Sequence, residues 1–225
     1  MMTKECIEVI KAIIFDMDGL MIDSERVTCD GYAVSLQKRG YKPSTEFYKK
    51  TLGTNTKTTY ELYKQEYGDD IPFFEILNEV HQYIEDVFEQ QGVPLKPGLV
   101  ELLKYLKSQH YKTIIATSSE RSRVQKILKQ TQLSSYFDDY ICGDEVENSK
   151  PDPEIFLKAC QKLKVSHQEA LVLEDSEAGI QAAYLAHIPV VCVPDMKYPQ
   201  SVYQQKTLCI VSSLEKIKDI FTLNK

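Results

Sequence analysis

The chain has 225 residues, of which 43% are hydrophobic and 27% charged, with nine glycines and nine prolines. This composition is typical of a folded globular protein and excludes collagen-like or largely disordered chains. Acidic residues outnumber basic ones by 33 to 27, which gives a formal net charge of -6. Because this charge repels phosphate backbones and anionic membrane surfaces, we expect neither a nucleic-acid partner nor a membrane partner.

Charged residues interrupt the N-terminal segment, where a secretory signal would need an unbroken apolar stretch. No other window approaches the roughly 18 to 20 apolar residues that a membrane span requires. We therefore expect a cytoplasmic protein. The cysteines are widely spaced and lack a C-x-x-C pair, which favours reduced core thiols over disulfides or a metal site. They are Cys6, Cys29, Cys142, Cys160, Cys192 and Cys209.

From about residue 95 onward, short apolar runs alternate with segments of helical period, a pattern typical of β-α-β units in a parallel sheet. One further strand precedes them near the N-terminus. The predicted strands cover residues 9–15, 112–116, 140–142, 170–173, 190–193 and 208–211. Between them, Leu99, Leu102 and Leu106 recur on one helix face. The sequence therefore predicts a Rossmann-like α/β core.

Residues 24–90 follow a different pattern, since they contain no strand-like run and their apolar positions keep helical spacing throughout. This segment holds 11 of the aromatic residues in a chain with 14 Tyr and 8 Phe. Tyr60, Tyr63 and Tyr67 lie at helical spacing, which favours a small aromatic core. We expect an all-helical cap domain inserted after the first strand, with the core domain formed by residues 1–23 and 91–225.

The first predicted strand ends at two carboxylates, Asp16 and Asp18, followed by Gly19. In an open parallel sheet, ligands bind at the carboxyl ends of the strands. A single acid at such a position more commonly caps a turn or a helix. Two acids two residues apart favour a binding site.

A second pair of acids, Glu174 and Asp175, ends the strand at residues 170–173 in the same way. Four carboxylates at neighbouring strand ends would repel one another unless a cation lay among them. Hard oxygen ligands suit Mg²⁺. The sequence therefore predicts a magnesium site formed by Asp16, Asp18, Glu174 and Asp175. Each residue alone could instead form an ordinary ion pair.

Hydroxyl groups and a lysine complete the candidate site. Thr117, Ser118 and Ser119 follow a core strand where a helix begins, a place that suits an oxyanion, although such a run alone is more typical of a helix cap. Lys150 precedes Pro151 in a predicted loop. It could supply the cation that a phosphate site beside four carboxylates requires.

These motifs carry a family resemblance. DMDG at 16–19, TSS at 117–119, SKPDPEIF at 149–156 and LEDSEAGI at 173–180 resemble, in order and spacing, the four motifs of the haloacid dehalogenase-like superfamily. The inserted segment and LKPG at 95–98 are similar to its β-phosphoglucomutase-like and sugar-phosphatase branch. The resemblance extends over nearly the whole chain.

The resemblance implies catalysis through an aspartyl-phosphate. Asp16 would attack phosphorus, while Asp18 would protonate the leaving alcohol and then deprotonate the hydrolytic water. Thr117 and Lys150 would hold the phosphoryl oxygens. The Mg²⁺ ligands would be Asp16, the main-chain carbonyl of Asp18, and Asp175 with Glu174 close by.

Other residues are candidates for phosphate or substrate binding. They are Met17, Ser118, Thr54, Asn55 and Arg121. For Thr54, Asn55 and Arg121 a turn or a solvated helix face is an equally good interpretation.

The resemblance also separates activities within the superfamily. A dehalogenase has no leaving alcohol to protonate, so retention of Asp18 favours phosphoryl chemistry. Where a β-phosphoglucomutase has a cap arginine and a cap histidine, this chain has Thr56 and Thr28, which weakens the mutase alternative. We expect a Mg²⁺-dependent phosphatase, acting as a monomer on a sugar phosphate or on a nucleoside or pseudouridine monophosphate. A mutase, or a binding module without activity, remains the alternative.

Overall fold

The computed structural model describes residues 9–222. Within that range the chain forms six strands, and their bounds follow the predicted apolar runs closely. They are β1 (Ala12–Phe15), β2 (Lys112–Ala116), β3 (Asp139–Ile141), β4 (Ala170–Glu174), β5 (Val190–Cys192) and β6 (Cys209–Ile210).

Ten α-helices accompany these strands, joined by turns and short 3₁₀ segments. The first four, which lie between β1 and β2, are α1 (Ser24–Lys38), α2 (Thr45–Thr51), α3 (Thr56–Tyr67) and α4 (Phe73–Gln91). The others are α5 (Leu99–Ser108), α6 (Arg121–Thr131), α7 (Glu154–Leu163), α8 (Glu177–Leu185), α9 (Ser201–Gln204) and α10 (Ile217–Thr222).

The six strands form one parallel sheet with the order β3-β2-β1-β4-β5-β6. Ala12 at the start of β1 is in register with Lys112 on one side and Ala170 on the other. In this doubly wound order the connections change direction between β1 and β4, and ligands bind outside the carboxyl ends of the strands at that point. The predicted α/β fold class is therefore confirmed, and Asp16 follows β1, one of the two strands in the middle of the sheet.

The sheet is buried because helices cover it, as a parallel sheet requires. All four residues of β1 are fully buried. Leu99, Leu102 and Leu106 of α5 are buried too, which confirms the helix face predicted from their spacing. β1 begins at Ala12 rather than at residue 9, because pairing with β2 and β4 starts there and Val9 is 46% exposed.

The helical segment is a separate compact unit that spans Asp23–Pro94 and contains α1 to α4. It runs past residue 90 because α4 continues to Gln91. Its core is aromatic: Tyr63 is 1% exposed, and its ring contacts Tyr32 and Phe47 at centroid distances of 5.2 and 5.0 Å. Arg39, which directly follows α1, and Glu79 of α4 form an ion pair at 2.6 Å, so the two helices are also linked by charge.

The described cysteines are free thiols. Cys142, Cys160 and Cys192 are buried, and burial raises the pKa of Cys160 to about 11. Cys6 lies outside the described residues. Among residues 9–222, no helix combines the length and apolar character that crossing a bilayer would need.

Candidate active site

The carboxyl end of β1 places two acids at the edge of the sheet. The Asp16 amide donates to the carbonyl oxygen of Leu173 in β4, at 3.1 Å, so its backbone continues the sheet, and the residue is only 7% exposed. After Asp16 the chain turns at Gly19, whose φ of +82° favours glycine. A side chain there would also meet Asp175, since a Cβ would lie 2.3 Å from Asp175 Oδ2. The bare glycine thus lets the Asp175 carboxylate lie against the loop that carries Asp18.

Lys150 links the ends of three strands. Its Nζ lies 2.6 Å from Asp16 Oδ1 and 2.7 Å from Glu174 Oε1, and it also donates to the carbonyl oxygen of Ala116 at 3.1 Å. The side chain is 6% exposed. Two carboxylates and a carbonyl thus surround the buried ammonium of Lys150. The sequence predicted a cation in a loop but not its burial among these groups.

Burial and charge act in opposite directions on this pair. Burial raises the pKa of Asp16 to about 7, although Lys150 lowers it, and the Glu174 charge adds to the rise. Burial alone would lower the pKa of Lys150, but the charges of Asp16 and Glu174 outweigh it and raise that pKa above its ordinary value. Lys150 is therefore a permanent cation at neutral pH.

Glu174, at the end of β4, is fully buried and uses both of its carboxylate oxygens. Oε1 accepts from Lys150, while Oε2 accepts from the amides of Asp175 and Ser176 at 2.9 and 2.8 Å and from Ser176 Oγ at 2.9 Å. Helix α8 passes so close that a Cβ on Gly179 would lie 1.7 Å from Oε1. Glu174 is thus a fixed anchor for Lys150.

The segment after β2 supplies donors to the same edge. Thr117 is 1% exposed, and its Oγ1 accepts from the Ser119 amide at 3.1 Å. Ser119 Oγ donates to Asp18 Oδ2 at 2.7 Å, and Arg123 Nη2 donates to Asp18 Oδ1 at 2.9 Å. Arg123 is a residue that the sequence prediction missed. Its spacing of four from Ser119, across the start of a helix, was the available signal.

Comparison with known proteins identifies the family of this chain. A family model for haloacid dehalogenase-like hydrolases matches residues 13–193. The chain belongs to the haloacid dehalogenase-like hydrolase family. It is 33% identical over 181 residues to a phosphorylated carbohydrates phosphatase from Thermotoga maritima, covering 79% of this chain and 82% of that protein. It is 30% identical over 214 residues to (DL)-glycerol-3-phosphatase 2 from Arabidopsis thaliana, covering 92% and 88%.

Among solved structures, the chain is similar in fold to β-phosphoglucomutase from Clostridium difficile. The TM-score is 0.71 at 23% identity, with 96% of each chain covered. The family predicted from the sequence motifs is therefore confirmed. The named phosphatase relatives confirm the enzyme class as well, a phosphatase hydrolase of the haloacid dehalogenase-like family.

The remaining candidate residues of this haloacid dehalogenase-like hydrolase have local contacts. Arg121 forms an ion pair with Glu145 at 2.6 Å and stacks on the Tyr140 ring at 4.8 Å, so its contacts lie beside β3 rather than at Asp18. Ser118 is exposed, whereas the Met17 side chain is fully buried, which leaves only its main chain to meet a ligand.

Two candidates lie in the helical unit. Asn55 caps α3, since its Oδ1 accepts from the Thr58 amide at 2.9 Å. Thr54 Oγ1 donates to the carbonyl oxygen of Thr51 at 2.7 Å. These contacts fit the turn interpretation, and a role in reading the substrate stays a prediction.

Proposed function

We propose that this protein is a Mg²⁺-dependent phosphatase that hydrolyses a small alkyl phosphate monoester through an aspartyl-phosphate on Asp16. The observation that carries the proposal is the position of Asp16. Its carboxylate lies at the carboxyl end of β1, 2.6 Å from the buried ammonium of Lys150 and two residues before Asp18. A buried carboxylate beside a permanent cation is suited to attack a dianionic phosphoryl group.

The donor set fits a magnesium ion. Asp16 and Asp175 offer carboxylate oxygens and Asp18 a main-chain carbonyl, which are the hard ligands that Mg²⁺ prefers. Asp175 Oδ2 lies against Gly19, the residue that follows Asp18 in the chain. Because both oxygens of Glu174 are already hydrogen-bonded, we assign the second carboxylate ligand to Asp175 rather than Glu174. When bound, Mg²⁺ would offset the negative charge of the phosphoryl group.

The protein residues then perform two steps. In the first, a carboxylate oxygen of Asp16 forms a bond to phosphorus, the bond from phosphorus to the alcohol oxygen breaks, and Asp18 gives that oxygen its proton. In the second, Asp18 takes a proton from water, the water oxygen bonds to phosphorus, and the bond to Asp16 breaks, which releases phosphate. Lys150 and Thr117 hold phosphoryl oxygens during both steps.

The named relatives support the substrate class. One is called a phosphatase of phosphorylated carbohydrates and the other a glycerol-3-phosphatase. Both names describe monoesters of aliphatic alcohols. We extend this class to the present chain, without assigning one substrate.

The test is phosphate release from a hexose phosphate and from glycerol 3-phosphate, with Mg²⁺ and with EDTA. We expect turnover that requires Mg²⁺ and is lost in Asp16→Asn. Asp139→Asn is the matched control, because Asp139 carries the same side chain at the start of β3 and should leave turnover unchanged. Turnover in Asp16→Asn equal to that of the unaltered protein would overturn the assignment of the nucleophile.

A second assay separates a phosphatase from a phosphomutase. The protein is incubated with β-glucose 1-phosphate and glucose 1,6-bisphosphate. We expect free glucose and phosphate as the main products. Glucose 6-phosphate as the dominant product would instead support the mutase alternative.

A further inference from the structure

Two side chains from one segment hold the carboxylate of Asp18. Ser119 Oγ donates to Oδ2 at 2.7 Å, and Arg123 Nη2 donates to Oδ1 at 2.9 Å. Both donors belong to the stretch that begins with Thr117 and runs into α6. Each oxygen of Asp18 therefore has its own donor, and rotation of the carboxylate about its bond to Cβ breaks both hydrogen bonds.

The hydrogen bonds matter because Asp18 is partly exposed, whereas a general acid must reach one particular oxygen atom. Its side chain is 27% exposed, in contrast to the buried Asp16. A general acid contributes to catalysis only when it is within hydrogen-bond reach of the leaving oxygen. A partly exposed aspartate without fixed partners would spend much of its time in other rotamers.

Folding stability does not explain Arg123 well. Arg123 and Asp18 each have a side chain that is 27% exposed, and ion pairs so open to solvent contribute little to the free energy of unfolding. The neighbouring arginine of α6, Arg121, has its own carboxylate in Glu145 at 2.6 Å. Two arginines on one helix turn thus serve different carboxylates, and only one of these is a proposed reactive group.

We propose that Arg123, assisted by Ser119, is a positioning residue that orients Asp18 to protonate the leaving alcohol. The proposal rests on the phosphatase function above. The expected effect of losing Arg123 depends on the leaving group. An alkoxide is a poor leaving group and needs the proton, whereas a nitrophenolate leaves without one. Loss of Arg123 should therefore impair hydrolysis of alkyl phosphates far more than hydrolysis of aryl phosphates.

The experiment compares kcat/KM of Arg123→Gln on glycerol 3-phosphate and on p-nitrophenyl phosphate, both with Mg²⁺. The ratio kcat/KM covers the steps up to phosphoryl transfer, where the leaving group departs. We expect a fall of about 10- to 100-fold on the alkyl ester and of less than about threefold on the aryl ester, since a general acid as a whole contributes about 10²- to 10⁴-fold. Asp18→Asn should give the same selectivity with a larger loss.

A double variant tests whether Arg123 acts through Asp18. If it does, Arg123→Gln added to Asp18→Asn lowers kcat/KM on the alkyl ester no further, because the group that Arg123 orients is already gone. Arg123→Lys should restore part of the activity, since one charged donor remains. Ser119→Ala should show the same selectivity at smaller size, and it keeps the proposal testable if Arg123→Gln folds poorly.

The matched control is Arg39→Gln. Arg39 and Ser35 both donate to the carboxylate of Glu79, so the helical unit contains the same combination of arginine, serine and acid. This variant should leave both substrates unaffected. Equal losses on the two esters in Arg123→Gln, or a further loss in the double variant, would overturn the positioning role. If the unaltered protein hydrolyses neither ester, the phosphatase function fails, which is a distinguishable result.

Discussion

The carboxyl ends of β1 and β4 look alike in sequence and differ in structure. Each strand is apolar and each is followed by acids, Asp16 and Asp18 at one end and Glu174 and Asp175 at the other. After β1, the buried Asp16 accepts a hydrogen bond from Lys150 at 2.6 Å. On β4, the buried Glu174 accepts four hydrogen bonds from three residues, one of them Lys150.

Under the proposed function, this difference would separate a reactive acid from a structural one. A carboxylate whose oxygens are all hydrogen-bonded is a poor nucleophile and a poor metal ligand, whereas one bound to a single cation can exchange that contact for a phosphoryl group. In that proposal Asp16, which follows β1, would react with phosphorus, and Glu174 would hold Lys150 in place. The following predictions test this contrast.

The largest effect is expected for Lys150→Met, which removes the group that joins the two strand ends. Two buried carboxylates would lose their cation, and we expect a loss of about 3–5 kcal/mol in the free energy of unfolding without Mg²⁺. Activity should fall by about 10²- to 10³-fold, as for loss of one group that stabilises the transition state. Urea unfolding and phosphate release measure the two effects. Unchanged stability would contradict the bridging role.

Substitution of Glu174 and substitution of Asp175 should have different effects on activity. Glu174→Gln keeps the shape but frees Lys150 from one carboxylate, so we expect activity to fall by about 10- to 100-fold, as for other supporting residues of metal sites. Asp175→Asn should chiefly raise the Mg²⁺ concentration that gives half of the maximal activity. A Mg²⁺ titration of both variants separates the effects. A larger shift for Glu174→Gln would show that the metal ligand is Glu174.

Gly179→Ala tests how closely α8 approaches Glu174. The added methyl would lie 1.7 Å from Oε1 and must displace it. We expect a loss of about 1–3 kcal/mol in the free energy of unfolding, as for other overpacked sites. Activity should also fall, since Glu174 cannot move without moving Lys150. Denaturant unfolding gives the first value, and a stable, fully active variant would be incompatible with the contact.

Ser176→Ala should have a smaller effect. Ser176 Oγ accepts from the Gly179 amide as the cap of α8 and donates to Glu174. Loss of a helix cap costs about 1 kcal/mol. Ser44→Ala, which removes the cap of α2 in the helical unit, should lower stability equally without the fall in activity that Ser176→Ala produces. Equal activities in the two variants would show that Ser176 does not support the active site.

The smallest effect concerns the opposite end of β4, where Glu169 forms an ordinary ion pair with Lys11 at 2.5 Å. Lys11 and Ser166 lower the pKa of Glu169 to about 2. A carboxyl group whose pKa is lower in the folded than in the unfolded state stabilises the folded protein at pH values above its unfolded pKa. The contribution of Glu169 is therefore present at neutral pH and is lost as the pH falls toward about 2. Glu169→Gln should therefore flatten the fall of Tm below about pH 4.5. An unchanged acid profile would leave Glu169 without a measurable role.

The sequence predicted the strands and the acids well for a physical reason. Buried parallel strands read as unbroken apolar runs, and acids that end them stand out. The hydrogen bond from Ser176 to Glu174 and the close approach of Gly179 could not be predicted, because neither follows from the spacing of residues along the chain. The sequence prediction named Arg121 rather than Arg123, although the spacing of four between Ser119 and Arg123 was available as a signal. The orientation of α6 relative to β2 determines that Arg123, rather than Arg121, contacts Asp18.

The route of the chain through the sheet has a consequence for folding kinetics. Asp16 and Lys150 are 134 positions apart, and the groups that contact Lys150 lie at the carboxyl ends of β1, β2 and β4. Such non-local contacts form late, because a long loop must close before they are gained. During refolding, recovery of catalytic activity should therefore follow insertion of β1 between β2 and β4. The time course of recovered enzyme activity would therefore report when β1, β2 and β4 have assembled.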